Sequence, residues 1–424
     1  MKIARALRHR NYRLFFAGQS ISLLGTWITR VATSWLVYRL TGSELQLGLV
    51  GFAGQVPTLV LTPFAGVVVD RMNRHHILVV TQILSLLQSV VLAVLTFADL
   101  ITVPQLLALQ LLQGVINAFD TPARQAFVVE MVEDRRDLPN AIALNSTMVN
   151  GSRIVGPSIG GVLIAGFGEA WCFAFDAVSY VAVVASLLAM RLHTSAAARP
   201  DTRILDELHA GWRYVSASVP IRTALLLLAI VSTFGTPYTV LMPAIAAREL
   251  HGGPNTLGLL MAATGVGALA GGIYLAQRET VVGLGRVVLF GTLTFGGGLV
   301  AFSYAQTLWI AMVLLAITGF GFIAQMASTN TVVQTIVDER LRGRVMAFYT
   351  MAFFGTVPIG SLFAGLIADA IGSAPTVRLG GVVCVIAGVW FAARLPSLRQ
   401  LIRPIYVERG ILPAPATDTG AKTL

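Results

Sequence analysis

Two arginines stand in the middle of otherwise apolar stretches of the sequence, where a charge is costly and calls for a partner. Arg30 lies in the stretch 14–38 and Arg153 in the stretch 140–166. An arginine near the centre of a bilayer usually faces a cavity or a partner, and its planar guanidinium binds a carboxylate or phosphate through two parallel hydrogen bonds. Both residues are therefore predicted to hold an anionic group or an acidic side chain.

Three acids are expected nearer the ends of such stretches, Asp120 towards the cytoplasm and Asp176 and Asp369 towards the outside. An acid at a helix end is more often a solvated or capping residue than a proton carrier, but Asp176 is also a candidate for a charge relay with the two arginines. The sequence predicts no carboxylate as deep as the arginines. The resulting positive centre favours an anionic or zwitterionic amphipath over a lipophilic cation.

The histidines show no metal-ligand spacing, since all six fall in predicted loops or tails: His9, His75, His76, His193, His209 and His251. Neither a phosphate-binding loop nor a nucleophile-elbow pattern occurs. The sequence therefore predicts no metal, no cofactor and no enzyme. A transporter is favoured, and a receptor or scaffold on the same fold is the alternative.

The composition places these residues in an integral membrane protein, predicted to be all-α. Of 424 residues 55% are hydrophobic and only 12% are charged, with a mean hydropathy of +0.76. Stretches long enough to cross a hydrocarbon core of about 30 Å recur along the chain. Twelve are predicted: 14–38, 45–69, 77–98, 102–121, 140–166, 171–190, 221–246, 256–277, 284–304, 307–328, 345–370 and 376–394.

The basic residues predict the orientation of these helices. The net charge is +10, and nearly all Lys and Arg fall on the side of the two termini, whereas the opposite side keeps only Arg39, Arg248 and Arg378. Such a bias places both termini in the cytoplasm. The positive charge therefore reports topology, and nucleic acid is not an expected partner.

The chain contains an internal repeat. A shift of 204 residues places 128–168 on 332–372 without a gap, with identical residues at Val128, Val129, Asp134, Arg136, Ala143, Gly151, Gly156, Gly161 and Gly168. Both copies start on the cytoplasmic side, so the repeat is parallel, as in transporters that work by alternating access. The predicted organisation is a first half (1–190), a linker (191–219), a second half (220–395) and a cytoplasmic tail (396–424).

The linker and four of the helices carry polar patterns. In the linker, Ile204, Leu208, Trp212 and Val215 have helical spacing, which indicates either an interfacial helix on the inner leaflet or a solvated linker. The first, fourth, seventh and tenth helices each carry a polar face, which predicts a central water-filled path, although hydrogen bonds between helices are the alternative. These faces comprise Gln19, Ser22, Thr26, Arg30 and Thr33; Gln110, Gln113, Asn117 and Thr121; Ser232, Thr236 and Thr239; and Thr318, Gln325 and Thr329.

Two short motifs add a gate and a packing surface. The first is GVVVDRMNRHH (66–76), in which Asp70 ends a helix whose dipole is negative there and needs compensation; a gate formed by Gly66, Asp70, Arg71 and Arg74 is favoured over a plain topology signal. The second is GSRIVGPSIGG (151–161), where small residues permit close helix contact and Pro157 permits a bend. Its glycines, Gly151, Gly156, Gly160 and Gly161, predict a close, bendable contact between the halves, with plain packing as the alternative.

Twelve helices in two halves and these two motifs resemble the major facilitator superfamily of secondary transporters. NAFDTPARQAF (117–127) and LVYRLTGS (36–43) resemble its drug and siderophore exporter branch. The resemblance implies a cytoplasmic gate in which Asp70 faces the start of the eleventh helix, near Gly343 and Arg344. It also implies an exporter of an amphipathic small molecule in a bacterial cytoplasmic membrane, coupled to protons and working as a monomer among membrane lipids. A lipid or lysophospholipid flippase is the alternative.

The sequence also departs from the family pattern. Asn73 stands where many relatives have Gly, which predicts a left-handed turn that Asn accepts. Gln110 stands where the fourth helix often carries an arginine tied to proton transfer, so any proton antiport is predicted to depend on Asp120 or Asp176. The second half has Gln277, Arg278 and Glu279 where the loop aspartate is expected, so only the first half keeps a full gate.

Overall fold

The computed structural model describes residues 5–132, 134–190 and 204–413, and this part of the chain is helical with no strand. The α-helices are α1 (Arg10–Thr41), α2 (Glu44–Arg71), α3 (Arg74–Phe97), α4 (Val103–Glu130), α5 (Leu138–Phe167), α6 (Glu169–Leu188), α7 (Ile204–Ala217), α8 (Val219–Ile230), α9 (Tyr238–Ala244), α10 (Pro254–Ala276), α11 (Leu284–Phe302), α12 (Leu308–Ile336), α13 (Arg342–Phe354), α14 (Val357–Ile371) and α15 (Ser373–Glu408).

These helices form twelve spans, as predicted, because α8 with α9 and α13 with α14 each make one crossing and α7 makes none. Nine segments of the described chain are long and apolar enough to cross a membrane by length and composition alone. The three spans that miss this test are α1, α4 and α5, which carry Arg30, Asp120 and Arg153. The polar residues predicted to be functional are thus the reason that these helices look less like membrane spans.

Two spans are broken near their middles. Between α8 and α9 the chain forms a π-helical turn, Val231–Gly235, followed by Pro237, which has no N–H to donate. Between α13 and α14 the break falls at Gly355 and Thr356. Sequence periodicity predicts continuous helices here because these breaks leave the apolar run uninterrupted.

Three spans are longer than predicted, because their polar ends remain helical beyond the apolar run. The fourth ends at Glu130 and the tenth at Ile336. The last continues to Glu408, so the segment predicted to be a tail from 396 begins as a helix. Tyr406 is buried there, and Arg409 donates a hydrogen bond to the carbonyl oxygen of Val337. Residues 414–424 lie outside the described chain.

The linker contains a helix, although 191–203 lie outside the described residues. In α7, Val215 is buried, Trp212 is exposed, and a methyl group added at Gly211 would lie 2.9 Å from the ring of Phe348 in α13. The side chains of Ile204 and Leu208 are not among those described. The helix therefore exists and packs on the second half, while its position on a membrane leaflet stays a prediction.

The two copies of the repeat share their local geometry. Gly168 and Gly372, which are 204 residues apart, have φ/ψ of 88°/169° and 90°/161°. Asp134 accepts a hydrogen bond from the backbone N–H of Arg136 at 3.0 Å, and Asp338 accepts one from Arg340 at 3.0 Å. In the first copy, this backbone N–H and the Arg136 guanidinium lower the pKa of Asp134. The same turn thus starts the fifth and eleventh spans.

An even number of spans puts the start of α1 and the end of α15 on one side, named here the terminal side; the other is the distal side. On the distal side the halves touch backbone to backbone. A methyl group added at Gly161 would lie 2.7 Å from the Pro254 oxygen and 3.2 Å from Cα of Gly258. One added at Gly48 would lie 2.8 Å from Cα of Gly365. Both seams join the first half to the second and close the distal side.

On the terminal side the halves separate. One apolar core cluster there contains only residues of the first half, such as Tyr12, Phe127 and Leu187. Polar side chains on the terminal halves of α5 and α12, including Asn150 and Gln334, are exposed. Methyl groups added at Gly66, Gly151 or Gly343 would meet nothing within 4 Å. Among the described residues, the halves therefore meet closely at the distal side, and no comparable glycine contact joins them at the terminal side.

Gly161→Ala is expected to destabilise the distal closure, because its methyl group would press on backbone atoms that cannot rotate away. Overpacking of this kind costs about 1 to 3 kcal/mol. The thermal unfolding temperature should fall. Double electron–electron resonance between spin labels on the exposed loop residues Leu100 and Gln306 should show a longer distance than in the wild type.

Gly151→Ala, in the same helix, is the matched control. It has free space for the methyl group and should be neutral or stabilising by up to about 1 kcal/mol. Equal behaviour of the two variants would contradict the assignment of Gly161 to the seam.

Candidate substrate cavity and distal closure

One tryptophan on α1 holds both membrane-embedded arginines. The guanidinium carbon of Arg30 lies 5.1 Å from the centroid of the Trp27 ring, and that of Arg153 lies 5.9 Å from it. A methyl group at Gly156 would lie 2.5 Å from the Trp27 Cβ, so the glycine of α5 makes room for the tryptophan. Cation–π contacts of this kind contribute about 0.5 to 2 kcal/mol each.

This site faces the space between the halves. Arg30 lies eleven residues before the distal end of α1, yet its side chain is exposed. Pro157 has no N–H to donate to the carbonyl oxygen of Arg153. That oxygen faces Gly265 of α10 and would lie 3.4 Å from a methyl group added there. Within the part of the chain that the structure describes, neither arginine forms an ion pair. Two positive charges therefore lie close together near the middle of the membrane, on the terminal side of the distal seam.

The other residues of the predicted polar path have different surroundings. In α4, Gln110 packs on Gly54 of α2: its Oε1 would lie 3.3 Å from a methyl group added at Gly54. Gln113 donates to Ser85 of α3 at 3.3 Å and to Asn117 at 3.1 Å. In α12, Gln325 is fully buried, and its backbone lies against Gly291 of α11. The polar face of α12 therefore points into its own half, away from the arginines.

The placement of the acids corrects the expectation that no carboxylate is deep. Asp176 is 2% exposed, and a methyl group at Gly25, the middle of α1, would lie 2.6 Å from its Oδ1. Asp120 is 4% exposed and lies ten residues before the end of α4, because that helix runs on to Glu130. Asp369 is exposed at the distal end of α14, where it accepts a hydrogen bond from Ser43 at 3.3 Å.

The gate motif joins α2 to α3. Arg74 donates to Glu130 of α4 at 2.6 Å, and Arg71 is the last residue of α2. Asp70 lies one residue earlier, and its side chain is outside the described part. The left-handed turn predicted at Asn73 is wrong: φ is −66°, and its side chain caps α3 by accepting from the backbone N–H groups of His75 and His76. An Asn is favoured here as an N-cap, which glycine cannot replace in full.

A buried acid on the distal side links the halves. Glu44, at the start of α2, is 3% exposed and pairs with Arg248 of the second half. The same arginine donates to the carbonyl oxygen of Gly42 at 2.6 Å, and Ser373 of α15 approaches Glu44 at 3.5 Å. The helix N-terminus adds a favourable dipole to the carboxylate. This ion pair reinforces the glycine seam next to it.

No group of three or more potential metal ligands occurs among the residues described.

The model of the MFS_3 family, described as "Transmembrane secretion effector", matches residues 4–403. The chain belongs to this family. It is thus a multi-pass transporter of the major facilitator superfamily, as its motifs predicted.

The transporter is similar to two bacterial proteins that are named for their transport roles. It is 27% identical to the staphyloferrin A transporter of Staphylococcus aureus over 91% of its own length and 97% of the relative's. It is 29% identical to the multidrug efflux pump Tap of Mycolicibacterium fortuitum, over 89% and 93% of the two chains. The fold is shared with a bacterial homolog of the human lysosomal transporter Spinster, solved in an inward-facing and unoccupied conformation. The TM-score is 0.69 at 16% sequence identity, and the match covers 97% of the transporter and 100% of the solved chain.

Sequence reasoning missed a polar stripe on the third span of the transporter. Its members are buried and recur every three or four residues in an apolar helix: Thr81, Gln82, Ser85, Gln88 and Ser89. Their helical spacing could have revealed them. The polar faces predicted from the sequence lie on the first, fourth, seventh and tenth helices, whereas this stripe lies on the third.

Glu44→Gln is expected to shift the transporter towards a distal-open state. The change removes the charge that holds Arg248, and a hydrogen bond to a charged group contributes about 1.5 to 3 kcal/mol. Because the Arg248 side chain is 52% exposed, the freed arginine can be solvated without a large penalty. The distance between labels at positions 100 and 306 should lengthen.

Glu169→Gln is the control for this experiment. Glu169 is also a buried acid at the distal start of a helix, and it pairs with a half-exposed arginine, Arg39, at 2.8 Å. Both of these residues belong to the first half, so the distance should not change. An unchanged distance in Glu44→Gln, or an equal increase in Glu169→Gln, would refute the role of Glu44 in closure.

Proposed function

We propose that the transporter is a secondary active exporter of an anionic or zwitterionic amphipathic small molecule. The observation that carries this proposal is the pair of arginines stacked on Trp27 between the two halves. Their guanidinium groups suit a carboxylate or phosphate, and the indole suits the apolar part of an amphipath. Relatives named for a siderophore and for multidrug efflux support a small-molecule cargo.

The terminal side is proposed to be cytoplasmic, because it carries nearly all of the Lys and Arg residues. The observed form is then open to the cytoplasm and closed to the outside, ready to take up cargo for export. Alternating access would break the glycine seams and the Glu44–Arg248 pair on the distal side. It would form a new contact on the cytoplasmic side, where Gly66, Asp70, Arg71 and Arg74 are proposed to meet the start of α13.

Energy is proposed to come from proton entry in exchange for cargo. Gln110 cannot carry a proton, whereas Asp120 and Asp176 are carboxylates inside the first half. The transporter is proposed to work as a monomer in the lipid of a bacterial cytoplasmic membrane, without cofactor or metal.

Transport by the purified protein in liposomes tests this function. Carboxyfluorescein, lysophosphatidylcholine and ethidium serve as anionic, zwitterionic lipid and cationic probes. With a proton gradient imposed, carboxyfluorescein should move against the proton flow. Movement of lysophosphatidylcholine alone would indicate a lysolipid flippase in its place. Movement of ethidium alone, or of no probe, would refute the proposed preference for an anion.

Arg153→Met is expected to fold and insert normally but to bind carboxyfluorescein about 10- to 100-fold more weakly, because the loss of a charged hydrogen bond costs about 1.5 to 3 kcal/mol. Arg153→Lys should restore binding only in part, since an ammonium lacks the planar fork. Fluorescence polarisation of the probe would measure both affinities.

Arg394→Met is the matched control. Arg394 also stacks on a tryptophan, with 4.9 Å from its guanidinium carbon to the Trp390 ring, but it is exposed on α15. Its replacement should leave probe binding unchanged. Wild-type binding and transport by a well-expressed Arg153→Met protein would overturn the assignment.

A further inference from the structure

A line of buried polar groups runs through the first half, separate from the arginine cavity. The stripe on α3 connects two carboxylates, Asp120 of α4 and Asp176 of α6. Residues 82 and 89 of α3 contact one acid each, and seven residues of helix span about 10 Å. The two acids therefore lie about two helical turns apart across the depth of the membrane.

At the end nearer the terminal side, Asp120 is fully hydrogen-bonded. Its Oδ1 accepts from the Thr81 hydroxyl at 3.0 Å and from the Gln82 amide at 2.7 Å. Its Oδ2 lies 3.3 Å from the guanidinium of Arg124, one turn further along α4. The Arg124 side chain is 26% exposed, so this acid has a polar route to the terminal side.

At the other end, Asp176 has a different environment. Its Oδ2 accepts from the Ser89 hydroxyl at 2.9 Å, and the hydroxyl groups of Thr29 and Ser179 also interact with the carboxylate. No cation pairs with it among the ion pairs of the described residues. A charge on this carboxylate would be stabilised in the membrane interior by the hydroxyl groups of Ser89, Thr29 and Ser179 and by no cation among the described residues, which is costly.

Further buried polar atoms without partners lie between and beside the two acids. Those of the described residues in this region are Gln82 Oε1, Gln88 Nε2 and Gln113 Oε1. Gln113 reaches Ser85, which is half-way along the stripe, and Tyr180 of α6 is buried one turn from Asp176. Buried polar atoms are nearly always satisfied, so this concentration of free donors and acceptors marks a place where a proton and its hydrogen bonds can be accommodated.

The charged and titratable groups around Asp176 are few. On its own helix they are Tyr180, Cys172 and Glu169; on α1 the nearest is Arg30; on α5 it is Arg153. The α3 segment 77–97 contains no ionisable residue. Asp120 faces Arg124 on its own helix and Tyr180 across the bundle. Asp176 is therefore the one acid in this interior that lacks a cation beside it within the described chain.

We infer that Asp176 is the site that binds and releases the coupling proton, and that Asp120 exchanges it with the terminal side. This inference rests on the proposed function for its coupling role. An O–H bond forms on Asp176 with a proton taken from water on the distal side, and it breaks when the proton passes along the stripe to Asp120 and then to water on the terminal side. The carboxylate is regenerated, and no electrons are exchanged.

Infrared difference spectroscopy of the purified transporter between acidic and alkaline pH tests proton binding without any substrate. The wild type should show a carboxylic-acid carbonyl band that is lost in Asp176→Asn. Ser89→Ala should keep the band but move it to higher frequency, because the acid loses one of its hydrogen bonds. Asp99→Asn is the control, since Asp99 is exposed in the loop after α3 and its left-handed φ of 54° suits Asn.

A transport measurement then separates coupling from transport itself. In liposomes, Asp176→Asn should reduce proton-driven accumulation of carboxyfluorescein by at least about 100-fold, while exchange of the probe at equal pH persists. Failure of the wild type to move the probe would count against the proposed function and leave the infrared result standing. Persistence of the pH-dependent band in Asp176→Asn, or of proton-driven accumulation in that variant, would overturn the inference.

Discussion

Close approach of backbone to backbone at two glycine seams is the constraint on which the observed state depends. Gly161 meets Gly258, and Gly48 meets Gly365, at distances that leave no room for a methyl group. Van der Waals packing rather than hydrophobic burial drives helix association in lipid, so small residues determine where the halves can touch. Because both seams lie on the distal side, they separate the arginine pair from that side, and the Glu44–Arg248 pair strengthens a closure that the glycines make possible.

The repeat explains why there are two seams. Gly161 and Gly365 are 204 residues apart, as are the glycines that end α5 and α14 with the same backbone angles. One sequence motif therefore contributes a contact in each half, and a rigid rocking of the halves would open both seams together. The breaks in α8–α9 and α13–α14 have no counterpart in the described spans of the first half, so the repeat is less exact there.

Much of this arrangement could be predicted from the sequence, because span number, repeat and small-residue stripes depend on local composition and period. The surroundings of Asp176 and Gln325 could not be predicted in this way. Distance from a helix end gives depth only when all helices have the same length and tilt, and α1, with 32 residues, places Gly25 beside Asp176. The face that Gln325 presents depends on how α12 is rotated against α11. Asn73 was misjudged because an Asn suits both a left-handed turn and an N-cap.

The separation of acids from arginines follows from the geometry of α1. At about 100° per residue, Gly25 and Arg30 lie about 140° apart around the helix. The glycine faces α6 and admits the Asp176 carboxylate, whereas the arginine faces the space between the halves. Asp176 therefore cannot neutralise Arg30 without a rotation of α1, although both belong to the middle of the membrane. This separation leaves the arginine pair available for the proposed anionic cargo and Asp176 available for the proposed proton.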